Sequence, residues 1–193
     1  MKNIIFIVAL LSIFSNCKKE EPPANIIEDP TDTIPAVVDT PIIQLGKGYV
    51  LKNGIVWNAP FEAWFYRSDS VFQINVEFVN ANLYGEHFFL RDIPCKEGRY
   101  SLELRRVFVN HRNQIPDAGF AIFQDYDQGM GFYDTDTTRT DNFLEVLHYD
   151  PVEKIAEGQF QVTLKNRDSP PQNGTPKYIY MAQGKFHLKI KQP

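Results

Sequence analysis

Trp64 and Tyr66 lie two residues apart in the run Phe61–Arg67, and Gln73 and Asn75 lie two apart in Val71–Val79. Residues two apart in a strand point to one side of the sheet, so each pair shares a face. Flat aromatics beside amide groups suit a sugar ring, which offers an apolar face and a rim of hydroxyls. Register decides whether the four meet on one surface. A four-residue loop, Arg67 to Ser70, pairs Tyr66 with Val71, sets Phe65 opposite Phe72 and turns Trp64 outward. A three-residue loop would turn Trp64 inward, but such loops favour glycine in the left-handed position and Ser68-Asp69-Ser70 has none. Trp64, Tyr66, Gln73 and Asn75 are therefore the candidate ligand-binding residues, unless a second layer or neighbouring loop covers Trp64.

Carboxylates supply the next candidates. Asp125-Tyr126-Asp127-Gln128-Gly129 begins like a calcium loop, but the third acidic position and the closing bidentate Glu are missing, and a solvated turn is the simpler reading. Glycoside hydrolysis needs two carboxyl groups about 5 to 9.5 Å apart, which Glu62 with Glu77 or Asp125 with Asp127 would satisfy, as many surface pairs would. His87, His148 and His187 fall in separate strand segments with no ligand spacing. The sequence carries no Gly-x-Ser-x-Gly elbow, His-Glu-x-x-His pair, phosphate loop or paired-cysteine zinc spacing. No catalytic residue, metal or cofactor is assigned, and the chain reads as a binding module more readily than as an enzyme.

Short alternating apolar runs between turn signals must position these residues, which is how an all-β domain reads. Tyr49–Lys52 meets Asn53-Gly54, a two-residue hairpin signal, and Ile55–Trp57 returns. Val71–Val79 places Phe72, Ile74, Val76 and Phe78 toward the core. Further runs cover Glu86–Asp92, Tyr100–Arg106, Gly119–Tyr126, Asn142–Tyr149, Ile155–Leu164 and Tyr178–Ile190, the last bent at Gly184. Pro94–Gly98 and Asp150–Glu153 read as hairpin turns, and Asp168–Pro176 as a longer loop. No run keeps a helical period over three turns. The expectation is one antiparallel β-sandwich of about nine or ten strands over residues 46–193, with a lipocalin-like barrel as the alternative.

The N-terminal 45 residues have a different composition. Lys2 and the apolar run Ile4–Phe14 describe a secretory signal, too short for a membrane span. Ser15-Asn16-Cys17 then looks like the cleavage site of a bacterial lipoprotein, with residues 1–16 removed and lipid carried on Cys17, although Phe14 and Asn16 depart from the usual Leu and small residue. Two or more acyl chains anchor stably where one holds only reversibly. Residues 17–45, with Pro22, Pro23, Pro30, Pro35 and Pro41 among acidic residues and Thr, read as a disordered tether. Of the two cysteines, lipidation of Cys17 leaves Cys95 without a disulfide partner. A formal charge of −4, and a basic cluster limited to Arg105, Arg106, His111 and Arg112, exclude a nucleic-acid footprint.

Cys17 followed by Lys18-Lys19-Glu20-Glu21 resembles the export signal of Bacteroidota surface lipoproteins. Tyr149-Asp150, Gly158-Gln159-Phe160 and Gly184-Lys185-Phe186 likewise resemble a group of those lipoproteins with a β-sandwich domain of unknown function. The resemblance spans about the last hundred residues and rests on short motifs common in β proteins. It implies a sandwich fold and an outer-membrane, surface-exposed location, and carries over no catalytic residue. The partners expected are the membrane, through the anchor, and a glycan or an outer-membrane protein. Two other classes stay open: a hydrolase with an acidic pair, and a carrier of a small apolar ligand.

Overall fold

The computed structural model describes residues 43–66, 68–103, 115–125 and 128–192, with the side chains of residues 66–69 left aside. The expected signal, Cys17, the tether as far as residue 42, and the Arg105, Arg106, His111 and Arg112 cluster lie outside the described residues. All eleven strands belong to one hydrogen-bonded sheet. They are β1 (Lys47–Lys52), β2 (Ile55–Val56), β3 (Phe61–Tyr66), β4 (Ser68–Val79), β5 (Gly85–Pro94) and β6 (Gly98–Ser101), then β7 (Asp117–Gln124), β8 (Gln128–Thr135), β9 (Phe143–Asp150), β10 (Ile155–Asn166) and β11 (Tyr178–Lys191).

Two layers arise because β10 and β11 are long enough to serve two neighbours along one edge. β10 pairs with β9 through Ile155–Gln161 and with β8 through Leu164–Asn166. β11 pairs with β1 from Lys47↔His187 to Lys52↔Met181, and with β3 at Ile190↔Ala63 and Lys191↔Trp64. One layer is thus β6-β9-β10-β11-β1-β2 and the other β3-β4-β5-β7-β8. Hydrogen bonds join them at both corners, so the sandwich also closes as a barrel. The β11–β3 corner is parallel; the remaining pairs are antiparallel.

The core lies between the layers. Phe88 of β5 stacks on Phe160 of β10 with ring centroids 5.4 Å apart, and Phe72 of β4 meets Phe186 of β11 edge-on at 6.5 Å. Neither couple belongs to hydrogen-bonded strands, so these rings span the interior. Large side chains occupy the middle, where an apolar carrier would need open volume. Gly158-Gln159-Phe160 and Gly184-Lys185-Phe186 form a reciprocal lock: Gly158 faces Phe186 across the β10–β11 pair, and Phe160 faces Gly184. A Cβ on Gly158 would lie 2.4 Å from Phe186 Cζ, and one on Gly184 2.4 Å from Phe160 Cζ. Each ring covers the bare backbone of its partner, which explains glycines in otherwise apolar strands.

Some expectations hold and others require correction. The Asn53-Gly54 turn forms with both φ positive, 49° and 80°. The Pro94–Gly98 segment does not close a hairpin, because both edges of β5 are taken by β4 and β7; it carries the chain to β6, which pairs with β9 in the other layer. β8 is a strand that was not expected, beginning inside the expected Asp125–Gly129 turn: its inward places hold Gly131, Tyr133 and Thr135, and its large apolar Phe132 points out. The bend of β11 is a bulge at Gln183, φ 52°, next to the expected Gly184. Phe65 lies opposite Phe72 as expected, but Tyr66 pairs with Ser68 rather than Val71. The start of β4 follows β5 instead, with Val71 opposite Pro94 and the Cys95 amide donating to the Ser70 carbonyl at 3.0 Å.

Candidate functional site

Ala63 and Phe65 are buried, so the alternate residue Trp64 points out of the barrel wall. Trp64 is paired with Gln73, and Glu62 with Asn75, which brings three of the four expected residues onto one outward face. The backbone of Tyr66 belongs to β3, while its side chain is outside the described set. Trp64 is half-buried, and among the described residues Glu62 and Lys191 lie against it. Its indole donates to Glu62 Oε2 at 3.3 Å, and the Lys191 ammonium sits 4.9 Å from the ring centroid while donating to Glu62 Oε1 at 2.8 Å. That ammonium, with smaller help from the indole, holds the Glu62 carboxyl below its ordinary range.

Beside this cluster Glu62, Asn75 and Glu77 line an open groove of about 470 Å3 with Pro60, Phe78 and Val79. Glu62 and Glu77, considered as a hydrolytic pair, therefore share one groove. A general acid needs a carboxyl raised toward neutrality; Glu62 is shifted the other way.

Register extends the face beyond the expected residues. Glu62, Asn75, Phe89, Gly119 and Asp134 form one row across β3, β4, β5, β7 and β8. Phe89 lies over Gly119, where a Cβ would come within 2.2 Å of its Cζ. His87 meets the Phe89 ring edge-on at 5.7 Å and approaches Asn75 Oδ1 at 3.4 Å. Burial, first, and then the Arg91 charge push its imidazole below the usual value, with Glu77 opposing. Arg91 lies 4.1 Å over the Phe89 ring and forms a two-pronged pair with the buried Asp117, at 3.1 and 2.7 Å. Arg167 similarly pairs with Asp134 at 2.7 and 2.6 Å and lies 5.9 Å from the exposed Phe132 ring. Sequence reasoning missed Phe89, Phe132 and Gly119. The available signal was Phe89 between inward Phe88 and Leu90.

The remaining acidic residues do not converge. Asp134 serves Arg167, Asp136 caps Thr138 with bonds of 3.1 Å to its amide and 2.7 Å to its hydroxyl, and Asp141 holds Arg139. Asp125 is a turn residue at φ 54°, and Tyr126 and Asp127 lie outside the described residues. His148 and His187 lie on either side of Glu157 in register on the outer face of the other layer, while His87 stands opposite Glu77 on the face of Trp64. Among the described residues no group of three or more His, Cys, Asp or Glu is placed to hold a metal ion. Cys95 is half-buried and packs against the core.

A second polar cluster lies at one end of the interior. The Lys52 ammonium is bonded to the buried Glu86, which also accepts from Tyr84 Oη at 2.9 Å. That ammonium sits 5.3 Å from the Trp57 ring and 5.6 Å from Phe120. Burial and then the Glu86 charge raise the Tyr84 phenol far above its ordinary value. Such a pair, fully engaged and roofed by aromatic rings, ties β1 to β5 across the layers.

Compared with known proteins, this chain matches no family model, no curated protein and no solved structure.

Proposed function

We propose that this chain is a lipoprotein held at the outer membrane through Cys17, with a β domain that binds glycan and performs no catalysis. The observation that carries the binding reading is the outward placement of Trp64, Gln73 and Asn75 together, beside the groove lined by Glu62, Asn75 and Glu77. An aromatic ring bordered by amides and carboxylates supplies both a stacking surface and hydroxyl partners. The anchor rests on the sequence: an apolar signal that ends at Cys17, followed by a charged string and a Pro-rich tether.

Two measurements test the two halves. The purified full-length protein is titrated with a panel of neutral glycans, and Trp64→Ala is expected to lower affinity roughly tenfold, the scale of one lost aromatic contact, with circular dichroism unchanged. Wild-type affinity in that variant, or no glycan bound by either protein, overturns the binding reading. Radiolabelled palmitate is expected in the wild type and absent from Cys17→Ala; an unlabelled wild type overturns the anchor. The shared groove of Glu62 and Glu77 favours a second reading, polymer hydrolysis. It predicts new reducing ends on incubation with a bound glycan, abolished by Glu77→Gln.

A further inference from the structure

In hydrogen-bond register, Trp64, Phe89 and Phe132 lie on one diagonal of the outer face. Phe89 stands in the row of Glu62, Asn75, Gly119 and Asp134; Trp64 is two residues beyond Glu62, and Phe132 two residues before Asp134, one row to the opposite side. Two strand spacings and one two-residue step separate each ring position from the next, which places successive Cα atoms about 12 Å apart. Each ring has the same attachments. A cation lies over it, Lys191, Arg91 or Arg167, and each cation is bonded to a carboxylate, Glu62, Asp117 or Asp134. The cations are thereby neutralised in place, so the diagonal presents aromatic faces and paired hydrogen-bonding groups without an excess of positive charge.

We infer that the diagonal is a chain-binding track for a linear, uncharged polysaccharide, with sugars stacked on the Trp64 and Phe132 rings and the chain crossing the Arg91-covered Phe89 between them. This deepens the glycan reading of the Trp64 face and depends on it. Regular ring spacing selects a repeating polymer over a single sugar, and the neutralised cations select against uronate or sulfate chains. Exposed cation–aromatic contacts are weak, so a sugar ring displaces the Lys191 or Arg167 side chain at small cost. The cation and its carboxylate then remain beside the bound ring to meet hydroxyl groups.

The test is a chain-length series. Di-, tetra- and hexasaccharides of β-glucan, xylan and mannan are titrated into the full-length protein, its Trp64→Ala form and its Phe132→Ala form. Phe132 is 43% exposed, so its truncation leaves the core intact. The expected result is affinity that rises with length, with Phe132→Ala costing roughly tenfold for the hexasaccharide and nothing for the disaccharide. Equal affinity for di- and hexasaccharide, with Phe132→Ala unchanged and Trp64→Ala impaired, overturns the track and leaves the Trp64 site standing. Binding of neither length overturns both readings. Preference for a charged chain such as polygalacturonate overturns the uncharged class.

Discussion

Gly158 and Gly119 occupy the same local arrangement, a glycine facing a phenylalanine across an antiparallel pair, yet one lies in the interior and the other on the outer wall. Inside, the Phe186 ring over Gly158 is fully buried and meets Phe72 edge-on, and the position of a Gly158 Cβ is blocked also by the Glu145 backbone oxygen at 2.3 Å. Outside, a Gly119 Cβ would meet the side chain of Phe89, and Arg91 lies over that ring. A single device thus does two jobs. In the core it fixes packing; on the wall it holds an aromatic ring down against the sheet, beneath Arg91.

The contrast breaks first at the glycines. Gly158→Ala is expected to destabilise the domain by about 3 kcal/mol, the upper end of overpacking, because a backbone oxygen cannot swing aside. Gly119→Ala, by comparison, is expected to cost about 1 kcal/mol, since Phe89 can rotate outward, and to weaken glycan binding more than it weakens folding. Urea denaturation of both variants, read beside titration with the hexasaccharide, decides the matter; equal losses of stability would erase the distinction between wall and core.

The smallest effect expected is one of pH. The folded His87 pKa lies below the ordinary 6.5, so below that value the unfolded chain binds more protons and stability declines. This contribution is present above pH 6.5 and is lost as pH falls toward the folded value. His87→Asn is therefore expected to flatten the slope of melting temperature between about pH 5 and 7. An unaltered slope would mean that His87 is as hydrated as a surface residue, and that the wall around Phe89 is looser than its register implies.

Strands whose inward places carry large apolar residues were legible in the sequence. Phe72, Ile74 and Val76 announce β4, and the Asn53-Gly54 turn announces the β1–β2 hairpin. β8 was not legible, because inward Gly131 and Thr135 hide its period and outward Phe132 inverts it. Thr135 is tolerated inside since its hydroxyl bonds the Ala118 amide and carbonyl, at 3.2 and 3.0 Å, a compensation that hydropathy does not reveal. The site was partly legible. Local register brought Trp64, Gln73 and Asn75 together, whereas Phe89 and Phe132 join them only through pairings among β4, β5, β7 and β8. Order among strands is set by the whole fold, and short motifs do not encode it.

β11 gives the domain a definite moment of completion. It hydrogen-bonds to β10, β1 and β3, so a chain that stops before Tyr178 leaves all three without a shared partner. Synthesis delivers β1 before β11, and pairings between such distant segments are slow to form. Until β11 is in place, the edges of β10, β1 and β3 that it covers stay open. Closure is an event of the final strand, and it brings the first and last strands of the wall together in one step.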